Sequence, residues 1–390
     1  MLFFLSSSAR NQYAEDILRA IALPAGSRLR LRYDLSLVEG HSVAGDNRSL
    51  AKQITESASS FKNSSGLICF LDSGEKRRPV TIYPCRMCKV ISLEVFGPIL
   101  MCYLEMRDFC SSKAPNNFTE KLTSDAHSPV PVWVEGDAEP KLRGAWVFDR
   151  ESDLSMLSHG DDFSSFASAC DTLAGLNPFY AGETDTNGLD KPDTLNPFWN
   201  VSLYKGDIRA DGSSTARTTT LAEALKLKSG EYILQGGEQY TLRILHYFPA
   251  SGRKKKDFDR AVDADFSSLD IDGTSTLSMP IKSEYDVKDV VIRPKRAPLE
   301  RVGFIDIALR NHAAGKSTKF SDVGIPVRIE RSLTHTTLNV VLIGLGFVIP
   351  AIIASSYREG FSFISWQVFF IALSGIIGGI AAVFGLRRSV

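Results

Sequence analysis

Apolar and polar residues alternate with a period of two through much of the first 330 residues, which predicts a β-rich fold. The clearest stretch is RLRLRYDLSLV at residues 28–38, where leucines and a tyrosine alternate with three arginines. This period places apolar side chains on one face and charged side chains on the other, as in a half-exposed sheet. Apolar residues at three- and four-residue spacing predict a helix over residues 14–21, and a second helix over residues 46–61.

Four further strand patterns lie between residues 66 and 106, namely LICFL, PVTIY, KVISLEVF and ILMCYLEM. Their tight turn signals predict an antiparallel meander that curls into a small barrel. The polar stretch 109–128 predicts the exit from a first α+β domain at residues 1–115. A hairpin, a helix near residues 163–170 and several strands up to residue 330 then predict a second β-rich domain at residues 129–330.

The pattern changes after Ser332, because Arg358 and Glu359 are the only charged residues from Leu333 to Leu386. Two apolar stretches there each supply the roughly 20 residues that cross a bilayer. They predict transmembrane helices at about 336–356 and 363–386, joined by a short turn. The predicted fold class is therefore α+β, with a β-rich cytosolic region of antiparallel sheets or small barrels and a few helices, followed by a C-terminal two-helix transmembrane hairpin.

Basic residues flanking these stretches predict the orientation of the hairpin. Arg328, Arg331, Arg387 and Arg388 lie at its outer ends, whereas Arg358 lies in the turn. The positive-inside rule then places both termini in the cytoplasm, as in a multi-pass protein of the bacterial inner membrane. The first residues, MLFFL, lack the basic segment of a secretory signal.

Two groups of residues are candidate membrane contacts. Gly375, Gly379 and Ala382 form a strip of small residues that predicts close helix packing, either within the hairpin or between copies of the chain. The basic run Arg253, Lys254, Lys255 and Lys256 is a candidate contact for anionic lipid headgroups.

Composition excludes several classes of protein. Lys and Arg number 45 and so do Asp and Glu, which gives a formal net charge of zero. Proteins that bind nucleic acid mainly through phosphate contacts are basic, so we expect no direct nucleic-acid binding. The 23 Phe and 11 Tyr exclude a disordered chain, and six Cys are too few for a disulfide-rich scaffold.

The motifs that resemble chemical sites lack the context such sites need. Cys85 and Cys88 form a CxxC pair that leads directly into a strand, so we expect buried free thiols rather than a zinc or redox site. Residues 315–317 resemble a phosphate loop, but Arg310 stands where its first glycine is required. Residues 270–273 resemble half of a calcium loop and predict a turn. No catalytic, cofactor or metal site is predicted, although a catalytic triad assembled in space stays open.

One sequence repeat is unusual. Residues 176–180, LNPFY, recur as LNPFW at residues 195–199. Asn-Pro favours a turn, and the aromatic residues after it either form an exposed surface or fill the core of the second domain. We expect them to fill the core.

In the order of its segments, the chain resembles membrane-tethered effectors of bacterial antiviral defence, in which a cytosolic sensing region is fused to paired C-terminal spans. The resemblance covers domain order and no motif. It implies a non-enzymatic, membrane-anchored sensor whose hairpin oligomerises and perturbs the membrane. Expected partners are the lipid bilayer, further copies of the chain, and a cytosolic protein or small-molecule ligand; no cofactor is expected. The alternatives are an inert membrane-tethered scaffold or binding module, and a membrane-bound hydrolase with an unrecognised site.

Overall fold

The computed structural model describes most of the chain up to Glu330. The described residues are 1–7, 11–35, 38, 50–72, 81–123, 145–149, 154–174, 176, 180–181, 194–195, 198–206, 223–224, 227–228, 230–249, 260–281, 285–295, 300–311 and 318–330. They form a β-rich α+β fold with few helices, which confirms the class predicted for the region before the hairpin. The predicted hairpin lies outside these residues. Within them, no helix has the length and apolar character needed to cross a membrane.

The first sheet has seven strands. They are β1 (Leu2–Ser7), β2 (Arg28–Asp34), β3 (Ser65–Asp72), β4 (Thr81–Phe96), β5 (Ile99–Ser112), β6 (Ala145–Asp149) and β7 (Leu157–Gly160). Their order is β2-β5-β4-β3-β1-β6, with β7 beside β5. β1 and β3 are parallel, and the other pairs are antiparallel. An isolated bridge between Val38 and Val147 brings the two ends of the sheet together, so the sheet curls.

One sequence prediction in this sheet was wrong. Residues 81–96 form one strand rather than two, because irregularities near Arg86 and after Val90 shift the pairing register and interrupt the alternation. Within the polar stretch 109–128, β5 continues to Ser112 and a helix follows; that this stretch is the exit from the first domain stays a prediction. That helix buries Phe118 and Leu122 on one side only, which makes its sequence look polar.

Four helices pack on the sheets. They are α1 (Asn11–Ala22), α2 (Leu50–Ser57), α3 (Pro115–Thr123) and α4 (Phe163–Leu173). α1 and α4 share a core with one face of the first sheet, here called the inner face, to which Phe4 and Leu31 belong. α3 covers part of the opposite, outer face, where it packs with Phe3 and Leu71.

Two further sheets face each other beyond the first. The four-stranded sheet has the order β11 (Glu223–Ala224), β10 (Phe198–Lys205), β14 (Tyr240–Tyr247), β17 (Tyr285–Ile292). The six-stranded sheet has the order β12 (Leu227–Lys228), β13 (Glu231–Gln235), β19 (Thr318–Glu330), β18 (Arg301–Asn311), β15 (Arg260–Asp265), β16 (Thr276–Pro280). A small pair joins β8 (Tyr180–Ala181) to β9 (Thr194–Leu195).

The second aromatic pair of the repeat belongs to the buried core cluster. Phe198 and Trp199 are buried, which confirms the core-filling role expected of them. The indole Nε1 of Trp199 donates a hydrogen bond of 2.9 Å to Oγ of Ser321 on β19. Phe179, from the first copy of the repeat, lies outside the described residues.

One hydrophobic cluster runs from the inner face of the first sheet into the core of the other two sheets. It extends from Leu2 to Ile329. β6 and β7 both follow residue 129, the predicted start of the second domain, and both pair within the first sheet. The boundaries 1–115, 129–330 and 333–386 stay a prediction.

Candidate functional site

The site residues predicted from sequence fall outside the described residues. They are Gly375, Gly379 and Ala382 in the second apolar stretch, and Arg253, Lys254, Lys255 and Lys256 in the basic run. Helix packing and headgroup contact by these residues therefore stay predictions.

All six cysteines are buried free thiols, which confirms the state expected for Cys85 and Cys88. Burial raises the pKa of Cys110 to about 12 and raises the pKa of Cys85 and Cys88 as well. A protonated thiol is a poor nucleophile and a poor metal ligand. Across the residues that the structure describes, no three His, Cys, Asp or Glu side chains gather as metal ligands would.

Residues 270–273 bend as the sequence predicted. The Asp270 carboxylate accepts hydrogen bonds from Lys295 and Arg301, and these contacts hold the pKa of Asp270 below its usual value. The Asp270 carboxylate is therefore hydrogen-bonded to two cationic side chains of the fold.

The least expected feature lies on the inner face, where Arg86 of β4 is only 1% exposed. Its Nη1 donates to the backbone oxygens of Ala20, at 2.6 Å, and Leu23, while its Nε donates to the oxygen of Arg107 at 2.8 Å. The guanidinium also lies 4.2 Å from the ring centroid of Phe109. Desolvation lowers the pKa of Arg86 to about 9.

Asn200 of β10 approaches the same end of α1 from the four-stranded sheet. Its Nδ2 donates to the backbone oxygens of Ile21, at 2.8 Å, and Leu23, at 3.2 Å. The last carbonyls of a helix have no partners within the helix and carry partial negative charge. Arg86 and Asn200 together satisfy them, and we call this group of side chains and carbonyls the arginine cap. It joins α1, the first sheet and the four-stranded sheet.

α1 also contacts the last described strand. Arg19 on α1 pairs with the carboxylate of Asp322 on β19 at 3.2 Å, and Lys319 reaches the same carboxylate at 3.0 Å. The helix therefore lies between the first sheet and the strand that leads toward the apolar C-terminal segment.

A second candidate surface lies on the outer face, beside the part that α3 covers. Arg28, Arg30 and Arg32 alternate along β2 with buried residues and form an exposed arginine row. The row is paired with Glu105, Tyr103 and Met101 of β5, whose side chains are half-buried. The alternation of charged and apolar residues in the sequence predicted this charged face.

The arginine cap was missed by sequence analysis. Arg86 stands between apolar residues and beside two cysteines in a strand, and this was the available signal of a buried arginine with polar partners. The carbonyls it contacts at the end of α1 are 63 to 66 residues away in the chain, and nothing in a pattern of side chains identifies backbone acceptors at that distance.

Neither protein-family models nor curated proteins gave a match to this chain.

Proposed function

We propose that the protein is a membrane-anchored cytosolic sensor or interaction protein whose two-span C-terminal hairpin oligomerises and perturbs the membrane, as an effector of bacterial antiviral defence would. The observation that carries the proposal is the segment from Leu333 to Leu386, in which Arg358 and Glu359 are the only charged residues. Such a segment is long enough for two spans of about 20 residues each.

The contacts of α1 support the sensing part of the proposal. The arginine cap holds the C-terminal end of α1 against the first sheet, and Arg19 holds the helix against β19. β19 ends at Glu330, a few residues before the apolar segment. A ligand that shifts the first sheet would thereby displace the strand from which the hairpin extends, through packed and hydrogen-bonded contacts.

Induced expression in bacteria tests the effector activity. We expect the full chain to arrest growth and admit a membrane-impermeant dye, and a chain truncated after Ser332 to do neither. Gly375→Ile/Gly379→Ile should insert normally but lose both crosslinked oligomers and dye influx, because the added bulk prevents close helix approach. Gly344→Ile/Gly346→Ile in the first span is the matched control. A full chain that inserts, forms oligomers and leaves growth and permeability unchanged would contradict the proposal.

Cysteine labelling tests the orientation. The six native thiols are buried, so an impermeant maleimide should leave them unreacted in the folded protein. We expect Ser356→Cys to be labelled on intact cells and Ser389→Cys to be labelled only after the cells are opened. The opposite pattern would invert the topology.

A tethered binding module is the second candidate function, and the exposed arginine row favours it. In that case, expression of the full chain should change neither growth nor membrane permeability. Substitutions in the arginine row should still alter which molecules the protein binds.

A further inference from the structure

The uncovered part of the outer face combines a basic row with an apolar row. Beside the arginine row on β2, the outward side chains of β5 are Ile99, Met101, Tyr103 and Glu105, all half-buried. The register places Arg32 opposite Met101 and Arg30 opposite Tyr103. A row of arginines on β2 therefore lies beside a row of mainly apolar side chains on β5.

The turn between β4 and β5 extends this surface with an exposed aromatic residue. Phe96 is 58% exposed and pairs with Ile99 across the turn, where Gly97 has a φ of +58°. The backbone N–H of Leu35, just after β2, donates to the oxygen of Pro98 at 2.7 Å. The hydrogen bond holds this aromatic tip beside the end of the arginine row.

The charges of the face favour an anionic partner. Successive arginines on one side of a strand are about 7 Å apart, and each guanidinium presents a fork of donors that fits a phosphate. Arg30 and Arg32 form no ion pair with any side chain in the described part of the chain. Carboxylates are also present, but Glu105 is paired with Arg107, and Asp34 and Glu94 lie toward the tip.

The far end of the arginine row lies close to the strand that leads to the apolar segment. The stem of Arg28 packs against Gly230, where a Cβ would lie 2.6 Å from Cδ of the arginine. Gly230 immediately precedes β13, which runs parallel to β19 with Tyr232 opposite Val327. At about 3.3 Å per residue, Arg28 is therefore within about 20 Å of Glu330.

The length of chain after Glu330 limits how far this face can lie from a bilayer that holds the hairpin. Five residues separate Glu330 from the predicted start of the first span near residue 336. Fully extended, they reach about 20 Å at most. Together with the distance from Arg28 to Glu330, this places Arg28 within about 40 Å of the start of the first span, which is short enough for the face to reach the headgroups.

We propose that the arginine row and Phe96 form a membrane-contact surface, in which Arg30 and Arg32 bind the phosphates of anionic lipids and Phe96 enters the interface. The inference rests on the proposed function, since the bilayer is the one that holds the hairpin, and it names a ligand for the sensing region. The surface reports the anionic lipid content of that bilayer through β2 and β5. Arginine for headgroup phosphate and an aromatic side chain at the interfacial depth are the residue types that bilayer surfaces favour.

Tryptophan quenching in nanodiscs tests the contact directly. The full chain carrying Phe96→Trp is reconstituted in discs of phosphatidylcholine and phosphatidylglycerol with brominated acyl chains. We expect the added fluorescence to be quenched and shifted to shorter wavelength. Phe304→Trp on β18 is the matched control, because Phe304 is similarly exposed, at 49%, on the six-stranded sheet; its fluorescence should be unaffected.

Removal of the arginines tests the lipid selectivity. In the Phe96→Trp background, Arg30→Gln/Arg32→Gln should reduce the ratio of quenched to unquenched protein by roughly fivefold for each arginine removed, and discs of pure phosphatidylcholine should reduce it as well. Arg293→Gln/Arg310→Gln, which removes two arginines elsewhere, should leave quenching unchanged. Equal quenching in neutral and anionic discs would overturn the role of the arginine row.

The outcomes separate this inference from the proposed function. A chain that fails to enter discs at all would refute the membrane anchor itself. A chain that enters the discs but shows no quenching at position 96 would refute only the contact surface. Binding of a single-stranded oligonucleotide that is lost in Arg30→Gln/Arg32→Gln, without any effect of anionic lipid, would replace the lipid with a nucleic acid.

Discussion

The inner and outer faces of the first sheet use arginine in opposite ways. On the inner face, Arg86 is buried and its donors contact backbone carbonyls of α1 and β5. On the outer face, Arg30 and Arg32 extend from β2 into solvent. The difference teaches that the same side chain is a structural cap where its donors are used within the fold and a candidate ligand-binding group where they remain available.

Burial accounts for the contrast. A charged group removed from water must recover its hydration through hydrogen bonds, and Arg86 does so with carbonyls rather than with a directly bonded carboxylate. Its pKa is lowered to about 9 by that desolvation, which the charge of Asp108 opposes only in part. Exposed arginines keep their hydration until a partner replaces it.

The largest expected effect is the loss of the arginine cap on substitution of Arg86. Arg86→Leu leaves the carbonyls of Ala20, Leu23 and Arg107 buried with fewer donors, so we expect a loss of about 3–5 kcal/mol in the free energy of unfolding. Denaturant unfolding of the full chain in mild detergent measures it. The matched variant Arg30→Leu should stay near the wild type. A loss below about 1 kcal/mol for Arg86→Leu would contradict the role of the cap.

The second effect concerns the partner of Arg86 in the cap. Asn200→Asp keeps the shape of the side chain but replaces a donor with a carboxylate facing the negative end of α1. We expect a loss of about 2 kcal/mol, from the missing hydrogen bonds and the unfavourable dipole. Ser202→Asp on the same face of β10 is the control. If both variants unfold alike, the contact with α1 carries no stability.

The third effect is a gain in the free energy of unfolding, and its size depends on pH. Burial raises the pKa of Asp16 on α1 to about 6, although Arg19 opposes the shift. Asp16 therefore binds a proton more tightly in the folded state than in the unfolded chain, so its contribution to stability is greatest below about pH 4 and is lost as the pH rises through 6. Asp16→Asn should raise the free energy of unfolding at pH 7.5 by about 1 kcal/mol. Melting curves at pH 7.5 and pH 4 should show this gain only at the higher pH; a gain equal at both would exclude titration of Asp16.

The smallest expected effect is on the outer face. Arg30→Gln/Arg32→Gln should change the free energy of unfolding by less than about 0.5 kcal/mol, because both side chains are exposed and Gln keeps part of the stem. The same unfolding measurement checks it. A large loss would place these arginines among the structural contacts and remove the contrast between the two faces.

Much of the sheet architecture was predictable because alternation records burial residue by residue. Leu29, Leu31 and Tyr33 are buried and the arginines between them exposed, as the period of two indicated. The pattern failed at β4, where bulges beside Arg86 shift the alternation, and at α3, whose buried residues are too few to give a strong period.

The sequence by itself determined the β-rich α+β class, the charged face of β2 and the buried state of Cys85 and Cys88, because each depends on the polarity of neighbouring residues. Only the tertiary structure decided that Arg86 is a cap and Arg30 is not. The acceptors of Arg86 are carbonyls at the end of α1, more than 60 positions earlier, and the carbonyl of Arg107 on β5. Asn200 reaches the same helix end from 179 positions later. Backbone carbonyls are common to every residue, so their placement comes from the packing of α1 between the sheets rather than from any side-chain pattern.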